Sequence, residues 1–149
     1  MDVVAPAEPM SGVELLRAFQ GRGPSGIARL LGLMIGDVEP GRVRLALRTR
    51  PDFANPHGGL HGGVTATLLD SAMACAVLSA LPPGGRYTTV DLGVTFLRPV
   101  DLGGTALTAD GEVVHVGRRI ATARGRVSDD ADRLVATATT TCQVLGGAP

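Results

Sequence analysis

Between Gly63 and about Leu81 the residues are small and apolar on nearly every side, and Asp70 is the one Asp, Glu, Lys or Arg between Phe53 and Gly85. A helix that is apolar all round cannot lie on a surface; the rest of the chain has to bury it. Pro82-Pro83-Gly84-Gly85 ends it sharply. The wider stretch from Gly58 to Leu81 is borderline in length for a membrane span, but its Asp and its Gly and Pro flanks read as a core helix. Folding this chain therefore means wrapping one helix with everything else.

What remains is mostly strand. Residues 1–10 hold two prolines and little pattern, and read as a loose tail. From about residue 11 to 31 the chain reads as helical. Ser11-Gly12-Val13-Glu14 fits a capping box, Val13, Leu15, Leu16 and Phe19 give an amphipathic stripe, Gly21 to Gly26 breaks it, and Ile27 to Leu31 adds a turn. Gly32–Val38 and Arg42–Arg48 read as a hairpin about Glu39-Pro40-Gly41, the second arm alternating apolar and polar residues. Pro51–Gly63 is a long loop rich in Pro, Gly, Asn and His, and such loops are often functional. Four longer strands follow at Tyr87–Arg98, Thr105–His115, Arg119–Ser128 and Arg133–Val144, and they read as a meander. The expected fold is a single α+β domain over 1–149. In it a curved antiparallel sheet of five to six strands wraps one long central helix.

Composition removes several chemistries. The 149 residues carry 14 basic and 14 acidic side chains, a formal net charge of zero, which argues against a nucleic-acid binder. Every basic residue is Arg, so Schiff-base and P-loop lysine mechanisms have no residue to use. Cys75 and Cys142 form no C-x-x-C and no Cys/His cluster, which argues against a metal site and reads as two structural thiols. No basic-then-apolar leader is seen, so a cytoplasmic protein is expected. There is no G-x-S-x-G elbow for a serine hydrolase.

Two features carry chemistry. Asp70 within an apolar helix is costly unless partnered or used; it is either a buried acid capping a loop amide or bridging a hydroxyl such as Thr67, or a functional acid. His57-Gly58-Gly59-Leu60-His61-Gly62-Gly63 precedes the helix, and the Gly62 and Gly63 amides fall among its first, unpaired N–H groups. Those amides suit an oxyanion, although an ordinary glycine-rich helix entry reads the same way. Gly62 and Asp70 are eight residues apart, roughly 12 Å along a helix, so one carbonyl cannot easily touch both. Two antiparallel copies of the helix about a two-fold would bring Gly62 of one chain to Asp70 of the other.

The run Asn55–Asp70 resembles the signature of hotdog-fold acyl-CoA thioesterases, in the subgroup of the phenylacetic-acid-degradation thioesterases and human thioesterase superfamily member 2. Thr88–Pro99 and His115-Val116-Gly117-Arg118-Arg119 match as well, and the likeness runs from about Leu31 to Val144. It implies a hotdog fold and hydrolysis of aryl or medium-chain acyl-CoA to free acid and coenzyme A. Asp70 would be nucleophile or general base, and the Gly62 N–H would polarise the thioester carbonyl. Asn55 would help hold substrate or water, His61 would line the same spot, and Thr89 would help position the water. His57 reads as a loop residue and Met73 as core.

The resemblance also implies the contacts for coenzyme A: the Gly63 amide, the strand edge from Val90 to Val94 for the pantetheine arm, and Arg118 and Arg119, with Arg98 as a weaker candidate, for the phosphates, to which arginine is suited. No metal and no separate cofactor is expected, coenzyme A being part of the substrate. The assembly expected is a homodimer or a dimer of dimers, with no nucleic acid and no membrane span. A hydratase of the same fold would pair the Asp with a His five residues later, where this chain has Cys75. A non-catalytic acyl-CoA binding module would lose the acid at position 70. A proofreading thioesterase acting on carrier-protein-bound acyl groups stays open.

Overall fold

The computed structural model describes residues 8–146. The tail expected at 1–10 lies mostly outside these residues; 8–10 carry no regular structure. Helix α1 spans Gly12–Arg22 and α2 Gly26–Leu31, followed by strands β1 Met34–Glu39 and β2 Arg42–Arg48. A 3-10 turn at Pro51–Phe53 leads through the loop to α3, Gly62–Ala80. Strands β3 Arg86–Phe96, β4 Ala106–Val116, β5 Ile120–Ser128 and β6 Leu134–Leu145 complete the chain.

The local signals act as their chemistry dictates. Ser11 Oγ accepts the Glu14 amide while the Glu14 carboxylate accepts the Ser11 amide at 2.8 Å, so the capping box closes in both directions. Gly32 closes α2 with φ 74°, a conformation open to glycine, and this delays β1 to Met34.

All six strands form one antiparallel sheet in the order β1-β2-β4-β5-β6-β3. The last four strands are therefore not a meander. β4, β5 and β6 follow one another, but β3 pairs with β6 at the far edge, and β4 pairs with β2. The chain leaves β3 through residues 97–105 and re-enters the sheet beside β2, because α3 has already carried it from one side of the sheet to the other.

α3 lies against the sheet by way of a row of small residues. Gly111 pairs with Gly125, and Gly125 with Ala138, across neighbouring strands. A Cβ on Gly111 would stand 2.3 Å from the Ala72 carbonyl oxygen, and one on Gly125 2.9 Å from the Met73 side chain. Backbone thus meets backbone at Gly111 and side chain meets backbone at Gly125, and Leu68, Leu69, Ala72, Met73, Ala76 and Val77 become fully enclosed. α1 crosses the far end of α3 just as closely, with no room for a Cβ on Gly12 beside the Leu78 carbonyl. Arg17 and Gln20 of α1 donate to the carbonyls of Val38 and Ile35, where the β1 register slips.

The sheet covers only one side of α3. Gly63 is exposed, and Ala66, Thr67, Asp70 and Ser71 are half-buried. By length and composition α3 could cross a membrane, yet half of its most apolar stretch is buried in this fold.

Gly111→Ala should destabilise the protein by about 1–3 kcal/mol, because a backbone contact must open to admit the methyl group. Gly21→Ala, in α1 with nothing within 4 Å of its Cβ, should stabilise it by about 0.5 kcal/mol. Urea unfolding of the two variants beside the parent chain measures both.

Candidate active site

The loop before α3 is organised by its own side chains. Arg50 donates to the Leu30 carbonyl at 2.6 Å and lies over the Phe53 ring, 4.4 Å from its centroid. The Asn55 Oδ1 accepts the amides of His57 at 2.9 Å and Gly59 at 3.1 Å, and its Nδ2 donates to the Leu60 carbonyl. Both ends of the Asn55 amide therefore shape the loop. His57 takes part through its main chain.

His61 is the N-cap of α3. Its Nδ1 accepts the Gly63 amide at 2.9 Å, so the ring uses an unprotonated nitrogen there. This leaves the Gly62 N–H with no acceptor among the described residues, at the positive end of a nineteen-residue helix. The Phe96 ring packs over Gly62, where a Cβ would fall 3.0 Å from Cζ. Asn55, Gly62, Phe96 and Arg98 line one groove of about 410 Å³.

Asp70 sits two turns further along the same helix. The Thr89 hydroxyl of β3 donates to its Oδ1 at 3.0 Å. Thr67 does not bridge Asp70; its hydroxyl bonds back to the Gly63 carbonyl at 2.9 Å. No Arg or His pairs with Asp70 among the described residues. Asp70 and Thr89 are thus brought together in one chain, and Gly62 is held apart from them.

A second, apolar cavity of about 260 Å³ lies between α1, α2, β1 and α3. Its walls include Phe19, Ala28 and Leu78, with Ser71, the residue after Asp70, and Cys75 and Tyr87, both of which feel the Asp70 charge. Burial, with a smaller contribution from the Asp70 charge, pushes the Cys75 thiol up to about 11. Burial likewise raises Tyr87 and Cys142. None of these groups carries charge at neutral pH, so the carboxylate faces a neutral surround.

The arginines divide between the ends of the sheet. Arg98 shares the groove with Gly62. Arg118 and Arg119 are exposed in the β4–β5 turn, next to Ile120, whose row across the sheet runs through Gln143 to Thr88. β3 is an edge strand, and Val90 is exposed upon it. Sequence reading missed the 260 Å³ cavity, whose walls come from six elements that local pattern cannot place side by side. No cluster of three His, Cys, Asp or Glu able to hold a metal occurs among the described residues.

Residues 57–136 match the family described as the Thioesterase superfamily. A protein of Halobacterium salinarum, provisionally named an esterase, is 37% identical over 112 residues, 72% of this chain and 72% of its own length. Human acyl-coenzyme A thioesterase 13 is 34% identical over 76 residues, 50% of this chain and 54% of its own. Among solved structures, a phenylacetic acid degradation-related protein from Ralstonia eutropha superposes with a TM-score of 0.76 at 32% identity, over 86% of this chain and 97% of that one.

The thiol of Cys75 should alkylate slowly in the folded protein at pH 8, since the thiolate is the reactive form and its fraction climbs only as pH approaches about 11. Iodoacetamide labelling followed by mass spectrometry should show this, with fast labelling once urea is added. Rapid labelling of the folded protein at pH 8 would contradict the burial described.

Proposed function

The chain belongs to the thioesterase superfamily and is a thioester hydrolase, and we propose that it hydrolyses acyl-CoA with an aryl or medium-chain acyl group to the free acid and coenzyme A. The observation that carries this reading is the Asp70 carboxylate, held by one hydroxyl, unpaired with any cation, on the half-buried face of an apolar helix. Thr89 occupies one oxygen and leaves the other free for a water molecule or the thioester carbon. Asp70 then either takes a proton from water as it attacks the carbonyl carbon, or attacks that carbon itself and is released by water. In both routes the C–S bond breaks, the thiolate leaves and is protonated as coenzyme A, and water supplies the oxygen of the acid.

The developing oxyanion needs a fixed donor. The unpaired Gly62 N–H at the α3 N-terminus is suited to it. Because Gly62 and Asp70 of one chain lie two helical turns apart, the reading has two chains sharing each site. The open edge of β3 and the half-buried face of α3 supply the surface for such a homodimer, and two dimers would assemble into a tetramer. In that arrangement Arg98 comes from one chain and Arg118 and Arg119 from the other, all available to the phosphates of coenzyme A. Asn55 and Gly63 keep the loop and helix entry in shape around the carbonyl, and Val90 borders the path of the pantetheine arm.

On this reading the acyl group enters the apolar cavity lined by Ser71, Cys75 and Tyr87. A cavity of about 150 Å³ accommodates benzene. One of about 260 Å³ therefore takes a ring with a short linker, or a chain of several methylenes, without disturbing α1 and α2. This agrees with the phenylacetic acid degradation-related protein among its structural relatives.

Thiol release from a panel running from acetyl- to palmitoyl-CoA, with phenylacetyl- and benzoyl-CoA, tests the reading. Asp70→Asn should lower kcat by about 10²–10⁴-fold with the fold retained. Near-full activity in that variant, or no turnover of any member by the parent chain, would overturn it. Ala28→Phe, which fills the cavity from α2, should reduce phenylacetyl-CoA turnover more than acetyl-CoA turnover; an equal effect on both would remove the cavity from the acyl site.

A further inference from the structure

We propose that Thr140 is a positioning residue for the reaction: its hydroxyl clamps a bulge in β3 and thereby turns Thr89 toward Asp70. The inference rests on the reading of Asp70 given above.

Strand β3 changes parity partway along. Leu92 and Val94 pack against the core. In a regular strand, counting back by twos puts Val90 and Thr88 on the same face and points Thr89 away from α3. The pairing observed is different. Thr89 lies opposite Cys142 and Asp91 opposite Thr141, so Val90 is an extra residue with no partner. It bulges outward and is 61% exposed. Tyr87 and Thr89 consequently face α3 together with Leu92 and Val94, and Thr89 reaches Asp70. Without this one inserted residue the Thr89 hydroxyl would lie on the other side of the sheet.

A bulge interrupts the ladder and needs something to fix it. Here the Thr140 hydroxyl donates to the Asp91 carbonyl at 2.8 Å, immediately after the inserted residue. Thr140 is 2% exposed. Its neighbours on that face of β6 are Ala136, Ala138 and Cys142, all buried. A hydroxyl in such a row is unfavourable unless bonded, and the bond it makes goes to the bulge rather than to the carboxylate. Thr140 therefore touches neither substrate nor Asp70; it acts through the backbone that carries Thr89.

The test compares Thr140→Val, which keeps the shape and removes the hydroxyl, with Thr140→Ser, which keeps the hydroxyl. On the best acyl-CoA, Thr140→Val should lower kcat by about tenfold to a hundredfold, the scale of a displaced catalytic contact. KM should move by less than about twofold, because binding is not the step affected. Thr140→Ser should restore kcat. In a Thr89→Val background, Thr140→Val should have no further effect. Undiminished kcat in Thr140→Val, failure of Ser to restore it, or an equal loss with and without Thr89 would overturn the proposal. If Thr140→Val does not fold, Thr140→Ala against Thr140→Ser carries the same expectation. Asp70→Asn measured alongside separates the two levels: an active Asn variant overturns the reading of Asp70, whereas an inactive Asn variant with an unaffected Thr140→Val overturns only the clamp.

Discussion

Helix α3 meets the sheet backbone to backbone at Gly111 and lays its Leu69 and Met73 side chains on Gly125, and that contact fixes the height and rotation of the helix. Protein interiors are close-packed, so a helix seated this tightly cannot roll to expose another face. Leu68, Leu69, Ala72 and Met73 point into the sheet, and Asp70 is left at the margin, where it is half-buried and can reach β3. A bulkier residue at either glycine would lift the helix. Asp70 would rise with it and lose Thr89. The same small residues that hold the fold together therefore also set the position of its acid.

Seating the helix on one side leaves its other side only partly covered. That face carries Gly63, Ala66, Thr67 and Asp70, next to an edge strand whose outward N–H and C=O groups meet no partner strand among the described residues. A helix with apolar residues on every side is intelligible if the sheet covers one face and another body the second. The Gly62 amide and the Asp70 carboxylate stand two turns apart on the same helix, so the proposed reaction, if it uses both, takes one from each of two copies.

Much of this was legible in the sequence, and the exceptions share a cause. The capping box at Ser11 and Glu14, the helix ended by Pro82-Pro83, and the strand at Arg42–Arg48 rest on signals only a few residues long, and each falls within a residue or two of its expected bounds. Asp70 stood out because a lone acid in an apolar helix is expensive. The placing of β3 at the far edge was not legible, because strand order depends on contacts between segments that local pattern does not rank. Thr89 was identified through family likeness alone. The alternation of Val90, Leu92 and Val94 suggests the opposite orientation, and only the pairing with β6 reveals the inserted residue. Of the hydroxyls near Asp70, Thr67 was only one candidate partner, and it is not the one used. Thr67 is near in sequence, but a threonine three residues back on a helix bonds its own backbone more readily.

The distribution of charge shows why the site takes this form. The chain has fourteen arginines, and a carboxylate in such company could easily have been paired. On the outer face of the sheet that is what happens: Arg44 bonds Asp110, and Arg124 grips Glu112 through two nitrogens. Asp70 is on the opposite face, among apolar residues, threonines and neutral thiols, where no guanidinium reaches it. A salt bridge there would spend the carboxylate's lone pairs and lower its basicity. A single hydroxyl fixes one oxygen and leaves the other free. The sheet thus separates two uses of the same chemical groups. On its outer face, acids and arginines hold one another at the surface. On its inner face, one acid is oriented by a hydroxyl with no guanidinium beside it, which is the arrangement the proposed hydrolysis asks of it.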